Sequence, residues 1–163
     1  MGGNFVLTSC YAWYEWFFSD VDNGLIKISP SSLGVSPGDL VTVTVCCPPG
    51  GSYATSYIGN LTQNTYTSIP ITPPYPQSEQ QVGATAEWIV ERESNFQTLA
   101  NYGEIFFTDC LAGWGPTPSS EIDLSDWGGA NTINMWNPLG DTISTAVLIN
   151  NTTLECYYGD KQP

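Results

Sequence analysis

Histidine is absent from the 163 residues, and positive charge is confined to Lys27, Arg92 and Lys161 against sixteen acids. Five cysteines are present, Cys10, Cys46, Cys47, Cys110 and Cys156, but no two stand in a C-x-x-C pair. Without imidazole or paired thiols a zinc centre has no ligand set, and no metal is expected. Charged residues make up only 12% of the chain, about half the usual share for a soluble domain. The polar surface is therefore built from Ser, Thr, Asn, Gln, Gly and Tyr, a profile common in extracellular β-proteins. The net charge of −13 repels phosphate backbones and anionic lipid, so neither nucleic acid nor a membrane surface is an expected partner. From Val41 to Ser78 there is no charge at all, yet Ser, Thr, Gly and Pro pervade the stretch and exclude a membrane span.

Targeting signals are missing as well. Met1-Gly2-Gly3-Asn4 offers neither a basic start nor an apolar run for export, and Val6 stands where a myristoylation signal needs Ser or Thr. Three N-glycosylation sequons begin at Asn60, Asn150 and Asn151, weak support for passage through a secretory compartment. A secreted, extracellular protein is expected. Composition and start disagree, and the expectation is a chain that begins part-way through a larger protein. The acidic balance also suits work in acid, where protonation relieves repulsion between carboxylates; plain solubility would account for it equally.

Hydrophobic residues reach 41% and aromatics 13%, ample for one core in a single domain over 1–163. Their pattern is that of short strands, with no convincing helix. Tyr11–Phe18, Leu25–Ser29, Leu40–Cys47, Tyr53–Gly59, Thr65–Ile71, Ala84–Glu91, Gly103–Asp109, Thr132–Trp136, Ile143–Ile149 and Thr153–Tyr158 are rich in Val, Ile, Thr and aromatics. Ser36-Pro37-Gly38, Pro48-Pro49-Gly50-Gly51 and Pro73-Pro74-Tyr75-Pro76 punctuate them as turns. About ten strands without a linker imply an all-β sandwich or barrel.

Alternation assigns faces. Val41, Val43 and Val45 oppose Thr42 and Thr44, the pattern of a half-buried strand. Tyr11, Trp13, Glu15 and Phe17 share one face of their strand; Glu87, Ile89 and Glu91 share one face of theirs, with Trp88 and Val90 opposite and buried. Acids at strand centres are unusual on a half-buried surface. If the two strands share a sheet, the carboxylates line one aromatic-walled face, where crowding raises their proton affinity and suits acid/base work. A solvated outer face remains the alternative from periodicity alone.

Several segments resemble the glutamic peptidase (eqolisin) family. Tyr11-Ala12-Trp13-Tyr14-Glu15-Trp16-Phe17 is similar to its Y-D-A-W-Y-E-W-Y segment, and Gly38-Asp39-Leu40-Val41-Thr42-Val43 to its G-D-x-V-x-V strand. Asn60-Leu61-Thr62 matches the E-N-L-T-T-G hairpin with Gly59 in place of Glu, and Ala86-Glu87-Trp88-Ile89-Val90-Glu91 resembles the A-E-W-I-V-E block. Ala100 to Cys110 follows the F-A-x-F-G-x-V-x-F-T-x-C run, so the blocks keep the family order over nearly the whole chain. The resemblance implies an antiparallel β-sandwich, concanavalin A-like, with two bent sheets and a concave cleft. It implies a monomeric acid endopeptidase acting on protein or peptide substrates through a Gln/Glu dyad, without cofactor.

By the same resemblance Glu91 is the catalytic Glu, and Glu15, Trp13 and Phe17 are substrate-binding; Glu87 is expected beside them because alternation puts it on the face of Glu91. It also implies a disulfide between Cys110 and Cys156. The catalytic Gln belongs to an I-L-Q-x-G strand upstream of the Y-x-A-W-Y-E-W block. None of Gln63, Gln77, Gln80, Gln81, Gln97 and Gln162 stands in such a motif. The expectation is therefore a chain lacking the family's N-terminal segment and inactive by itself. Two other readings remain: a jelly-roll glycoside hydrolase, which also sets two carboxylates on an aromatic-lined sheet, and a non-catalytic sandwich binding peptides or sugars.

Overall fold

The structure is a computed structural model that describes residues 10–15, 17–18, 21–22, 26–47, 53–72, 86–91, 99–113, 121–125 and 130–159. For 17–18, 21–22 and 121 only the backbone is described. Every regular element among these residues is a β-strand, and every pairing is antiparallel. The chain divides into two compact units, Met1–Gly83 and Ala84–Pro163.

In the first unit, β1 (Trp13–Tyr14) pairs with β4 (Ile26–Lys27), and β2 (Phe17–Phe18) pairs with β3 (Val21–Asp22). The expected single strand Tyr11–Phe18 is thus two short ones, with Glu15 in neither. A meander follows: β5 (Val41–Cys46), β6 (Ala54–Asn60) and β7 (Thr65–Ile71). Its entrance is a β-turn in which the Asp39 amide donates to the Ser36 carbonyl at 3.1 Å. Pro37 presets the first corner, and Gly38 supplies φ 87°, which a side chain would strain. The β6–β7 loop closes through Asn64 at φ 53°, a left-handed position that Asn tolerates.

Register sets the faces. Val43 lies opposite Ile58, and Ile58 opposite Thr67, so the valines share a face with Ala54, Ser56, Ile58 and Asn60. On β6 that face is buried, and Ile58 packs with Ile28 and Leu33 beneath Ala12, Tyr14, Val35 and Ile69. Each such aliphatic side chain contributes about 1.5–3 kcal/mol through removal from water. β5 departs from expectation: Val41, Val43 and Val45 are 47%, 60% and 59% exposed. Among the described residues β5 is one of the two edge strands of its sheet, and the residues packed on this core include Ile69 of β7 but none of β5.

The second unit is built on a four-stranded sheet. In spatial order it runs from β11 (Met135–Trp136) to β12 (Thr142–Asn150), β13 (Thr153–Tyr158) and β8 (Glu104–Phe107). β9 (Ala112–Gly113) pairs separately with β10 (Glu121–Ile122). The central strand β13 is buried on both faces. Leu154 and Cys156 join Cys110 and Leu124 in the core, with Trp88, Val90, Tyr102, Phe107 and Ala146 packed against them. On the other face the Tyr157 hydroxyl donates to the buried carboxylate of Glu155. At the margin of the sheet, Tyr102 meets the Tyr158 ring edge-on and shares a 2.7 Å hydrogen bond with Ser144 Oγ.

Two expectations are corrected in this unit. Residues 86–91 join no sheet. Their alternating burial comes instead from Trp88 and Val90 docking on the core, which requires no strand partner. The expected Cys110–Cys156 disulfide is absent, and both are free thiols. Cys156 lies opposite Ile105, and the Cys110 amide donates to the Thr152 carbonyl, four residues before Cys156. Cys110 Sγ turns to the Phe107 carbonyl at 3.4 Å, and burial pushes both thiols above their ordinary range.

Candidate active site

A cleft of about 670 Å³ opens in the first unit between the 11–15 segment and the meander. Trp13 and Glu15 line it, facing Val41, Val43 and Val45 of β5 and Ile58 of β6. One side is aromatic, the other aliphatic, and Glu15 sits half-buried at its wall. The β1–β4 pairing holds the segment, the Ile28 amide donates to the Ala12 carbonyl at 2.9 Å, and Lys27 Nζ lies 3.8 Å from the centre of the Tyr11 ring. Trp13 and Glu15 thus line the same cleft. Phe17 pairs through its backbone with Asp22, and its side chain lies outside the described residues.

In the second unit, Glu87, Ile89 and Glu91 are exposed while Trp88 and Val90 are half-buried. The two carboxylates lie on one side of an anchored segment, open to solvent and able to accept a proton from water. No group of three or more acidic or sulfur ligands suited to a metal ion occurs among the described residues.

Two polar centres escaped the sequence reading. The first joins the Gly38-Asp39 and Asn60-Leu61-Thr62 motifs. Asn60 is fully buried, and its Nδ2 donates to the Gly34 carbonyl at 2.9 Å and to Asp39 Oδ2 at 2.6 Å. The same Asp39 oxygen accepts from the Ser36 amide at 2.8 Å and from Gln63 Nε2 at 2.9 Å. Asn60 Oδ1 accepts from the Gln63 amide, and Thr62 Oγ1 from the Leu40 amide at 2.8 Å. The Asn60 bond first, then the Ser36 amide, hold the Asp39 carboxyl below its ordinary value. These motif residues latch the β6–β7 hairpin to the β5 entrance. The second centre is Glu155, an acid at a strand centre that the criterion applied to Glu15, Glu87 and Glu91 would have found.

Gly59, where the resemblance expects Glu, lies under an aromatic ring. A Cβ there would fall 2.6 Å from Tyr66 Cδ1 and 3.0 Å from Thr42 Cγ2. Cross-strand packing on the outer face has taken the space of a side chain.

No curated protein gives a significant match to the chain. The solved structure of aspergilloglutamic peptidase from Aspergillus niger superposes with a TM-score of 0.70 at 25% identity, covering 92% of this chain and 80% of that one. The sequence profile of the Peptidase A4 family matches residues 3–158. A match of that length leaves the glycoside hydrolase reading without support. The chain belongs to the Peptidase A4 family, the eqolisins, and shares the antiparallel β-sandwich fold of the glutamic peptidases.

Proposed function

We propose that the protein cleaves peptide bonds in unfolded protein substrates under acid conditions, with Glu91 as the general base of a Gln/Glu dyad. The observation that carries the reading is the alternation over 86–91. Trp88 and Val90 anchor the segment in the core, and Glu91 is turned outward where water and a scissile peptide have access. Glu91 takes a proton from water, whose oxygen attacks the carbonyl carbon. As the C–N bond breaks, the same proton passes from Glu91 to the departing nitrogen. No acyl-enzyme forms. Trp13 and Glu15, with Phe17 and Glu87, contact the substrate.

The negative charge developing on the carbonyl oxygen needs a donor, a role worth roughly 10²–10³ in rate. In the eqolisins a Gln amide fills it, and no Gln of this sequence stands in the matching motif. Gln63 is committed to Asp39. On this proposal no motif glutamine of the 163 residues supplies the oxyanion donor, and these residues by themselves are proposed to lack appreciable activity. The net charge of −13 favours acid, where fewer carboxylates repel one another. The same reading makes the protein secreted and, when complete, monomeric, with proteins or peptides as its partners.

The test compares the chain with a form carrying an I-L-Q-x-G-bearing N-terminal segment from a family member, on an unfolded substrate at about pH 3–4. The extended form cleaves and the short chain does not. Glu91→Gln in the extended form lowers the rate by about 10²–10⁴. Robust cleavage by the short chain, an inert extended form, or full activity in the variant overturns the assignment.

A further inference from the structure

The three sequons differ in what their carboxamides already do. In Asn60-Leu61-Thr62 both Nδ2 hydrogens are engaged, by the Gly34 carbonyl and the Asp39 carboxylate, and the residue has no exposed surface. An N-linked sugar replaces one of those hydrogens and requires open space beside the nitrogen. A glycan at Asn60 would break the latch and could not fit beneath the hairpin. Thr62 is likewise occupied, since its hydroxyl accepts from the Leu40 amide.

The hairpin between β12 and β13 presents the opposite case. Asn150 and Asn151 are exposed, and Asn151-Thr152 forms the turn. Asn150 Oδ1 accepts from the Thr152 amide at 2.9 Å and from Thr152 Oγ1 at 3.3 Å. Those bonds engage the amide oxygen and not Nδ2, and a hydroxyl donating to the amide oxygen eases loss of an Nδ2 proton. The overlapping sequon Asn151-Thr152-Thr153 is less open. Its Thr153 is already within β13, paired with Asn150, and the Asn151 carbonyl accepts from the Leu124 amide at 2.7 Å.

We propose that Asn150 is an N-glycan acceptor, and that the Asn60 sequon stays bare in the folded protein. The donor is a lipid-linked oligosaccharide diphosphate. Asn150 Nδ2 attacks the anomeric carbon, the new N–C bond forms, and the C–O bond to phosphate breaks. The lipid diphosphate leaves with the electron pair, and the Nδ2 proton goes to the transferase's base. A glycan there projects from the tip of the β12–β13 hairpin. The inference rests on passage through a secretory compartment, one element of the proposed function.

The experiment supplies that passage, so its result is separable from the protein's natural location and from its catalysis. The full chain is directed into the endoplasmic reticulum of a yeast host by an added export leader. Secreted and retained material are digested, and each sequon is mapped by mass spectrometry after enzymatic deglycosylation. Asn150 is expected to be occupied and Asn60 bare. Thr152→Ala, which removes only the Asn150 sequon, abolishes the glycan; Thr153→Ala, which removes only the Asn151 sequon, keeps it. Should Thr152→Ala fail to fold, mapping of the native chain decides alone. A glycan on Asn60 of folded protein, a glycan on Asn151 that survives Thr152→Ala, or three bare sites would overturn the proposal.

Discussion

Asn60→Asp changes one nitrogen to oxygen and should reverse the pH response of the latch. In the native chain Nδ2 is the only hydrogen donor between Asn60 and the two oxygens it serves, 2.9 Å away on Gly34 and 2.6 Å away on Asp39. An ionised carboxylate at position 60 would put three oxygens together with no hydrogen between them, in a site closed to solvent. An uncompensated buried charge costs about 3–5 kcal/mol. For a folding unit the size of Met1–Gly83, each kcal/mol moves the melting temperature by roughly 4–8 °C. The variant should therefore melt roughly 12–40 °C lower at neutral pH. Acid changes the sign. Two carboxyls in one site raise the proton affinity of the pair, so a proton returns early as pH falls and one hydrogen bond re-forms. Native Asp39 behaves oppositely: its carboxyl is held below its ordinary value of 3.8. The stability it supplies is complete above that value and is lost as pH falls through its lower folded value. Relief of general repulsion acts on both proteins alike, so the difference between them carries the information. Thermal melts by circular dichroism at neutral pH and at about pH 4 measure it, with Asn60→Ala as the uncharged control. A variant that melts with the native chain at neutral pH, or a gap that widens on acidification, would refute the reasoning.

Gly59→Ala should cost about 1–3 kcal/mol by driving a methyl into the Tyr66 ring. Adding Tyr66→Thr should recover part of that loss in a double-mutant cycle, and strict additivity would contradict the packing argument. Cys110 and Cys156, buried and shifted up by desolvation, should react with iodoacetamide far more slowly than exposed Cys10 and Cys46 until denaturant is added. A cross-linked Cys110–Cys156 peptide in a non-reducing digest would contradict that expectation. Val43→Lys should reduce self-association measured by light scattering while shifting stability by no more than about 0.5 kcal/mol, because Val43 sits on an exposed edge strand.

Strands with strong β-branched alternation between glycine and proline turns were legible. Thr65–Ile71 has the bounds expected of it, and the strands Val41–Cys46 and Ala54–Asn60 differ by a residue or so. Where alternation ran through bulky aromatics, it overstated continuity, and Tyr11–Phe18 broke at Glu15. The faces of 86–91 were read correctly because burial follows parity, whereas pairing depends on a partner that local sequence does not name. Exposure of Val41, Val43 and Val45 was hidden for the same reason: whether a strand is an edge is decided by its neighbours. At the site, alternation placed Trp13 and Glu15 on one face of their segment, and both line the cleft of the first unit. The Asp39–Asn60 latch was not, since its halves lie 21 residues apart and Asn-Leu-Thr reads first as a glycosylation signal. The disulfide came from resemblance alone, and both cysteines are free thiols in the structure.

The latch also bears on how the protein ages chemically. Deamidation of asparagine begins when the following backbone nitrogen attacks the side-chain amide carbon. At Asn60 that nitrogen, on Leu61, donates to the Leu40 carbonyl at 2.8 Å, while the carboxamide is pinned at both ends. Attack would require breaking these bonds together, which is local unfolding of the hairpin. The asparagine whose conversion would do most harm is thus the one most slowly converted, and storage damage should accumulate first at exposed residues such as Asn101 and Asn131.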